Sequence, residues 1–371
     1  MRNICYIFLL LVMVSCSSVS QDTKIFNGEI WEIEDNVVAK EVEFQELTLK
    51  GPNFGYLAVY DSLAVFMNPK LSSHWYQVFN LHTLDELGRF TQKGKGHDEF
   101  TAVGPVCNFR IEKNDLKTLI FDPNRESVSV WNIRESLEDK STSIECQIKM
   151  PWIKENSGAC YSNCFLTDSN TIYAKVSSIS INEHEATLPY YQERDRQSGG
   201  KTSEIQVFNK CIVNRRIKML PEVFLYSHDA MKPDGSRIAQ AMLYVPQLNI
   251  IDTESKTVVG YHLDGEMNLS DLETIEDLRS YFTRICADDE YIYTIYHGDV
   301  WNVDENHCTN KVYVFDWDGN LISKITTKHC IDEIAVDNIN KVLYTTSPVN
   351  EKLYYIKTDE LTRNVLPDLG S

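Results

Sequence analysis

From Lys311 to Ser347 the chain reads KVYVFDWDGNLISKITTKHCIDEIAVDNINKVLYTTS, with apolar and polar positions alternating in runs broken by tight turns. Val312, Val314 and Phe315 run into Asp316-Trp317-Asp318-Gly319, and Leu321, Ile322 and Ile325 return. This predicts a hairpin, because Gly supplies the positive φ of a short loop and Asp bonds its own backbone there. Ile331, Ile334 and Val336 then lead through Asp337-Asn338 to Val342, Leu343 and Tyr344, a second strand, turn and strand.

The same unit recurs along the chain. An Asp or Asn precedes a strongly β-forming run at Asp61, Asn114, Asp168, Asp234, Asp288 and Asp337, at intervals of 53, 54, 66, 54 and 49 residues. A third strand follows each run: YQVFNL from Tyr76, SVSVWNI from Ser127, EIQVFNK from Glu204, QLNIIDT from Gln247, KVYVFDW from Lys311 and KLYYIKT from Lys352. Fourth strands return at CQIKM from Cys146 and RRIKML from Arg215. A period near fifty residues with four strands per repeat predicts an all-β fold, a six-bladed β-propeller of four-stranded antiparallel blades. The sixth unit is short, and the segment from Asn27 to Asn36 alternates but belongs to no unit. It is expected to supply the outer strand of the last blade, so that an N-terminal strand closes the ring and removes an exposed edge.

Two stretches depart from the repeat. The polar insertion from Asn182 to Ser203 reads as a long loop outside the blades. From Ser270 to Arg284, Leu272, Ile275, Leu278, Tyr281 and Phe282 fall at helical spacing behind a Ser270/Glu273 capping box, which predicts a short helix.

Composition narrows the class. Hydrophobic residues make up 43%, with 19 Tyr, 15 Phe and 6 Trp, which suits strands and excludes a disordered chain. The formal charge of −18 argues against nucleic acid as a partner, since phosphate binding needs a basic surface. Residues 24–371 are expected to form one propeller domain.

The start, MRNICYIFLLLVMVSC, has one basic residue and an apolar run from Ile4 to Val14, too short to span a bilayer, and reads as a signal peptide. Met13-Val14-Ser15-Cys16 resembles the bacterial lipobox. The resemblance implies a lipoprotein signal peptide over 1–15, lipid attachment at Cys16, a lipidated tether over 16–23, and attachment to the membrane through that lipid. No Asp follows Cys16 and no acidic cluster stands directly behind it, which by the family's sorting rule implies the cell envelope, at the periplasmic side of the outer membrane. The other eight cysteines after Cys5 is removed with the signal, from Cys107 to Cys330, allow 105 pairings, and the sequence does not choose among them.

The segment GRFTQKGKGHDEFTAVG from Gly88 resembles the G-x-G-P-G-E-F signature of TolB-like and NHL-like six-bladed propellers, of the lipoprotein kind found in Bacteroides-type bacteria. Gly94, Gly96, Glu99 and Phe100 match, and His97 and Asp98 stand where the family has Pro and Gly. The resemblance implies the propeller fold and no particular reaction. The segment itself reads as a connector between blades.

Chemical motifs are few. Gly199-Gly200-Lys201-Thr202 lacks the earlier Gly of a phosphate loop, the Asp316-to-Gly319 turn is too short for a calcium loop, and neither G-x-S-x-G nor H-E-x-x-H occurs. No catalytic residue, metal site or cofactor is expected. The repeat offers more. Residues five or six before each marker should meet at one mouth of the channel: Tyr56, Asn108, Ser162 and Asn163, His228 and Asp229, Thr283, and Ile331 with Asp332. Arg110 and Arg284 follow one residue on, and Tyr190, Tyr191 and Arg194 are expected to cover the mouth from the insertion. Asn108, Arg110, Asn163, Tyr190, Tyr191, Arg194, His228, Asp229, Arg284 and Asp332 are thus the candidate ligand-binding residues, since planar guanidinium groups and aromatic faces suit carboxylates and sugars. The expected function is a non-catalytic binding or scaffolding lipoprotein whose partner is a small polar ligand or an envelope protein. The alternatives are a hydrolase or lyase acting on glycans or lactones at the same mouth, and a platform for protein–protein contacts.

Overall fold

The computed structural model describes residues 22–150, 159–167, 170–178, 188–300 and 309–363. The signal peptide, Cys16, Asp168 and the insertion from Asn182 to residue 187 lie outside the described residues.

Six antiparallel sheets follow one another along the chain. Blade 1 is Tyr56–Tyr60, Leu63–Met67, His74–Asn80 and Glu86–Gln92. Blade 2 is Arg110–Glu112, Asp115–Asp122, Ser127–Asn132 and Ser143–Lys149. Blade 3 is Ala159–Leu166, Thr171–Ser178, Tyr190–Asp195 and Lys201–Gln206. Blade 4 is Ser227–Met231, Arg237–Met242, Gln247–Asp252 and Val258–Leu263. Blade 5 is Arg279–Ala287, Tyr291–Val300, Lys311–Asp316 and Leu321–Thr326. Blade 6 is Glu333–Asp337, Val342–Thr346 and Leu353–Lys357, completed by Gln45–Leu47 from the N-terminal side.

The turns after the first strands of blades 1, 2, 4, 5 and 6 fall where the repeat of Asp and Asn predicts them. Lys113 and Asn114 both have positive φ (53° and 71°), the geometry a two-residue hairpin turn demands. The strands behind these turns are almost continuously apolar because both faces of every sheet are covered. Buried clusters lie between neighbouring blades all the way round: Val65, Tyr76 and Trp131 between blades 1 and 2, Val128 and Ile172 between 2 and 3. Phe165 and Met242 join blades 3 and 4, Leu248 and Phe315 join 4 and 5, Val312 and Leu343 join 5 and 6, and Phe79 and Leu353 join 6 and 1. The core is therefore a ring of interfaces. Asp337 ties the last interface directly, its carboxylate accepting from the Asp61 and Ser62 amides at 3.2 Å each and from the Ile339 and Asn340 amides of its own turn.

The ring is closed by an N-terminal strand, but not by the segment expected. Glu29–Ile33 pairs in parallel with Val258–Leu263 as a fifth strand on blade 4. Lys40–Glu41 then pairs in parallel with the outer strand of blade 5, and Gln45–Leu47 pairs antiparallel with Leu353–Tyr355 of blade 6. The N-terminal segment is a strap that covers three outer edges in succession. Its close approach needs Gly28, where an added Cβ would stand 2.0 Å from the Val258 carbonyl oxygen. The strap begins inside the expected tether: Asp22–Ile25 is a helical turn, with Asp22 accepting from the Ser270 amide at 2.7 Å and Ile25 buried.

Three other expectations change. The helix from Ser270 is a 3-10 turn, Leu269–Glu273, capped by Asn268 and Asp271, and Arg279–Ala287 is a strand, because Tyr281 and Phe282 complete the blade 4–5 core. RRIKML forms no strand. The third strand of blade 3 is Tyr190–Asp195 and EIQVFNK supplies the fourth, so most of the described insertion belongs to the blade. The GKGHDEF segment connects blades 1 and 2: Glu99 folds back so that its Oε2 accepts from the Gly96 amide at 2.7 Å, filling the space beside Gly94 (φ +155°), and His97 is exposed.

Candidate ligand-binding mouth

A cavity of about 420 Å³ opens on the axis, lined by the first strands of blades 1, 3, 4, 5 and 6 and by the lead-in to blade 2. This lies within the range of small-molecule sites. Two of the contributing strands carry register irregularities at the site, between Tyr161 and Asn163 in blade 3 and between Phe282 and Arg284 in blade 5. Such bulges re-aim side chains relative to a regular strand.

Two ion pairs organise the lining. Lys175, on the second strand of blade 3, reaches into blade 4: its Nζ donates to Ser227 Oγ at 2.6 Å, to the Ser227 carbonyl at 3.2 Å and to Asp229 Oδ1 at 3.0 Å. Asn163 Nδ2 and Ser227 Oγ also donate to Asp229, at 3.1 and 2.9 Å. The Lys175 and Asp229 side chains are 4% and 0% exposed, so every charge-bearing atom of this knot is satisfied inside the protein.

The second pair is more open. Arg284 Nε donates to Glu333 Oε1 at 2.5 Å and Nη1 to the Thr283 carbonyl at 2.7 Å, while Nη2 has no partner among the described residues. The guanidinium lies 5.6 Å from the Tyr56 ring centroid. Burial pushes the Glu333 carboxyl up to about 7, with Asp332 adding to the rise and Arg284 opposing it. Burial also works against the Arg284 charge, but Glu333 and then Asp332 outweigh it and hold the group above its usual range.

His228 packs edge-to-face on Tyr226, centroids 5.2 Å apart. Burial first, then Arg284 and Lys175, bring its pKa down to about 3, so the ring is neutral. Neither ring nitrogen has a hydrogen-bond partner among the described residues, which leaves one donor and one acceptor for an occupant.

Of the residues singled out from the sequence, Asn108, Asn163, His228, Asp229 and Arg284 line the cavity together, with Tyr56 and Ser162. Asn108 is already spent: its Nδ2 donates to the Leu166 carbonyl and its Oδ1 accepts from the Leu166 amide, clamping blade 2 to blade 3. Arg110 donates to the Pro233 carbonyl at 2.6 Å, and neither it nor Asp332 is part of the lining, on which Asp332 bears through its charge on Arg284 and Glu333.

Tyr190, Tyr191 and Arg194 do not cover the mouth. They sit within a blade strand, and the polar look of YYQERD has an internal explanation: Arg194 Nη2 donates to Tyr161 Oη at 2.6 Å and Nε to Gln192 Oε1 at 2.9 Å. Tyr191 is fully buried.

Lys175, Glu333 and Tyr226 were not legible as site residues. A lone Lys in IYAKV and a lone Glu in IDEIAV, each among apolar neighbours of a strand buried on both faces, were the available signals, because an unpaired charge there would be too costly to keep.

The model of the TolB-like 6-blade propeller-like family matches residues 34–339. A search of the curated proteins finds no match. Among solved structures, a member of the DUF4221 family from Bacteroides vulgatus superposes with a TM-score of 0.57 at 13% identity, over 86% of this chain and 96% of that one. A Bacteroides fragilis protein described as a candidate exported protein superposes with a TM-score of 0.52 at 11% identity, over 86% and 89%. At these identities the likeness is one of fold. No helix among the described residues is long and apolar enough to cross a membrane.

Proposed function

Since the chain belongs to the TolB-like six-bladed propeller family, we propose that it is a cell-envelope lipoprotein whose propeller acts as a non-catalytic binding module, taking a small polar ligand into the axial mouth. The observation that carries this reading is the meeting, in one axial cavity, of an incompletely engaged Arg284 and a neutral His228 whose ring nitrogens have no hydrogen-bond partner among the described residues. Both carboxylates in the cavity, Asp229 and Glu333, are held by cations, which suits recognition better than attack on a substrate.

The envelope address rests on the signal-like start and Cys16. Cys330 is disulfide-bonded, a state favoured outside the cytoplasm, and a fold neighbour is described as a candidate exported protein. Metabolic labelling with a palmitate analogue tests the anchor: the full chain takes up label and Cys16→Ser does not, whereas equal labelling of both removes the anchor.

The binding reading is tested by thermal shift of the purified domain against envelope sugars, peptides and metal ions, with Arg284→Ala alongside. Stabilisation by at least one polar class, lost in the variant, is the expected result. Absence of any stabilisation, or stabilisation equal in both proteins, overturns it.

A further inference from the structure

We infer that the occupant of this mouth is a small acidic sugar, a carboxylate on a hydroxyl-rich ring, and that its carboxylate pairs with the open edge of the Arg284 guanidinium, which it then shares with Glu333. This rests on the binding reading above and narrows it to one ligand class.

The lining cations differ in what they can still do. Lys175 has three donor hydrogens and its partners are Ser227 and Asp229, so it is closed. Arg284 spends Nε on Glu333 and one Nη1 hydrogen on the Thr283 carbonyl, and the Nη2 edge is unspent among the described residues. A guanidinium edge presents parallel donors that match a carboxylate in two-point contact. Around it stand groups suited to hydroxyls: the His228 ring, and the Tyr56 and Tyr226 hydroxyls, neither of which has a hydrogen-bond partner among the described residues. Tyrosine rings supply flat apolar faces for a sugar. On a protein of formal charge −18, an anion is admitted only where a cation is held in place for it.

Sharing the guanidinium has a consequence in protons. Glu333 faces Arg284 from blade 5, the Leu57 amide from blade 1 and its own neighbour Asp332, with Tyr56 of blade 1 and His228 of blade 4 beyond Arg284. When a ligand carboxylate shares Arg284, Glu333 is left buried between that charge and Asp332, and it takes one proton from solvent. Beside Arg284 alone Glu333 titrates at about 7, so below that pH it carries the proton beforehand and affinity is flat. Above it, affinity falls as pH rises, by up to about tenfold per unit for one linked proton.

Isothermal titration of the unmodified domain with D-glucuronate, D-galacturonate, D-glucose and D-galactose at pH 6 and pH 8 tests this. The expected result is a uronate bound at least about tenfold more tightly than its neutral counterpart, about tenfold more weakly at pH 8 than at pH 6, with the pH effect absent in Glu333→Gln. Neutral sugars binding as tightly as the acids would overturn the acidic-ligand inference while leaving a binding mouth. Absence of uronate binding at millimolar concentration would also overturn it, and the wider thermal-shift panel then decides separately whether the mouth binds anything. Uronate binding that ignores pH, or that survives Arg284→Gln, overturns the pairing with a shared Arg284.

Discussion

Lys175 Nζ lies 2.8 Å from Asp229 Oδ2, joining the second strand of blade 3 to the first strand of blade 4 with both side chains out of solvent. Removing one partner leaves the other buried and uncompensated, a cost of about 3–5 kcal/mol. Asp229→Ala is expected to lower the unfolding free energy by that amount in urea titration. A loss under about 1 kcal/mol would mean the pair is not buried as described.

Asn108 lines the cavity yet has its amide committed to the Leu166 backbone. Asn108→Ala leaves two backbone groups of blade 3 without partners, and is expected to cost roughly 1–3 kcal/mol of stability. Ligand affinity, measured well below the unfolding temperature, should stay within about threefold. A tenfold loss of affinity with unchanged stability would assign Asn108 to the ligand instead.

Two cavity groups make opposite contributions to stability against pH. His228 stays neutral in the folded protein down to about pH 3, whereas in the unfolded chain it takes a proton near its ordinary pKa of about 6.5. The folded state binds fewer protons between those values, so stability falls as pH drops from about 6.5 toward 3. Glu333 has its folded value raised to about 7 against about 4.3 unfolded. Its contribution is complete below about pH 4.3 and is lost as pH rises through 7. His228→Asn should flatten the acid limb of a urea-midpoint profile, and Glu333→Gln the limb between pH 4.5 and 7. Unaltered limbs in both variants would contradict these environments.

The strap gives a graded prediction. Removal of residues through 34 takes away the fifth strand of blade 4, while removal through 48 also strips the strand that completes blade 6 and its Glu46–Lys352 pair at 2.7 Å. The second truncation exposes the edge of Leu353–Lys357 and should aggregate or unfold at markedly lower temperature than the first. Equal melting temperatures would show that ring closure does not depend on Gln45–Leu47.

Much of the ring was legible because turn chemistry is local. Asp61, Asn114, Asp234, Asp288 and Asp337 mark hairpins in the structure as they do in the sequence, and the apolar runs behind them need both faces covered. The closing strand was not legible. Gln45–Leu47 is three residues without alternation, and its place depends on a partner some three hundred residues away, whereas Glu29–Ile33 alternates well but serves blade 4. YYQERD reads as loop because its polar groups satisfy one another only once Tyr161 is brought beside Arg194. The repeat phase brought Asn163, His228, Asp229 and Arg284 to one cavity. It said nothing of Lys175 or Glu333, whose partners come from other blades.

The imidazole of His228 is the most direct reporter on the mouth, since its nitrogens have no partner among the described residues and its ring titrates far from neutrality. Histidine-ring NMR during addition of D-glucuronate at pH 6, with His228→Asn identifying the signal, should show the His228 resonances moving to saturation at one ligand per chain, and no movement in Arg284→Gln. Saturable glucuronate binding that leaves the His228 resonances where they were would contradict an axial site.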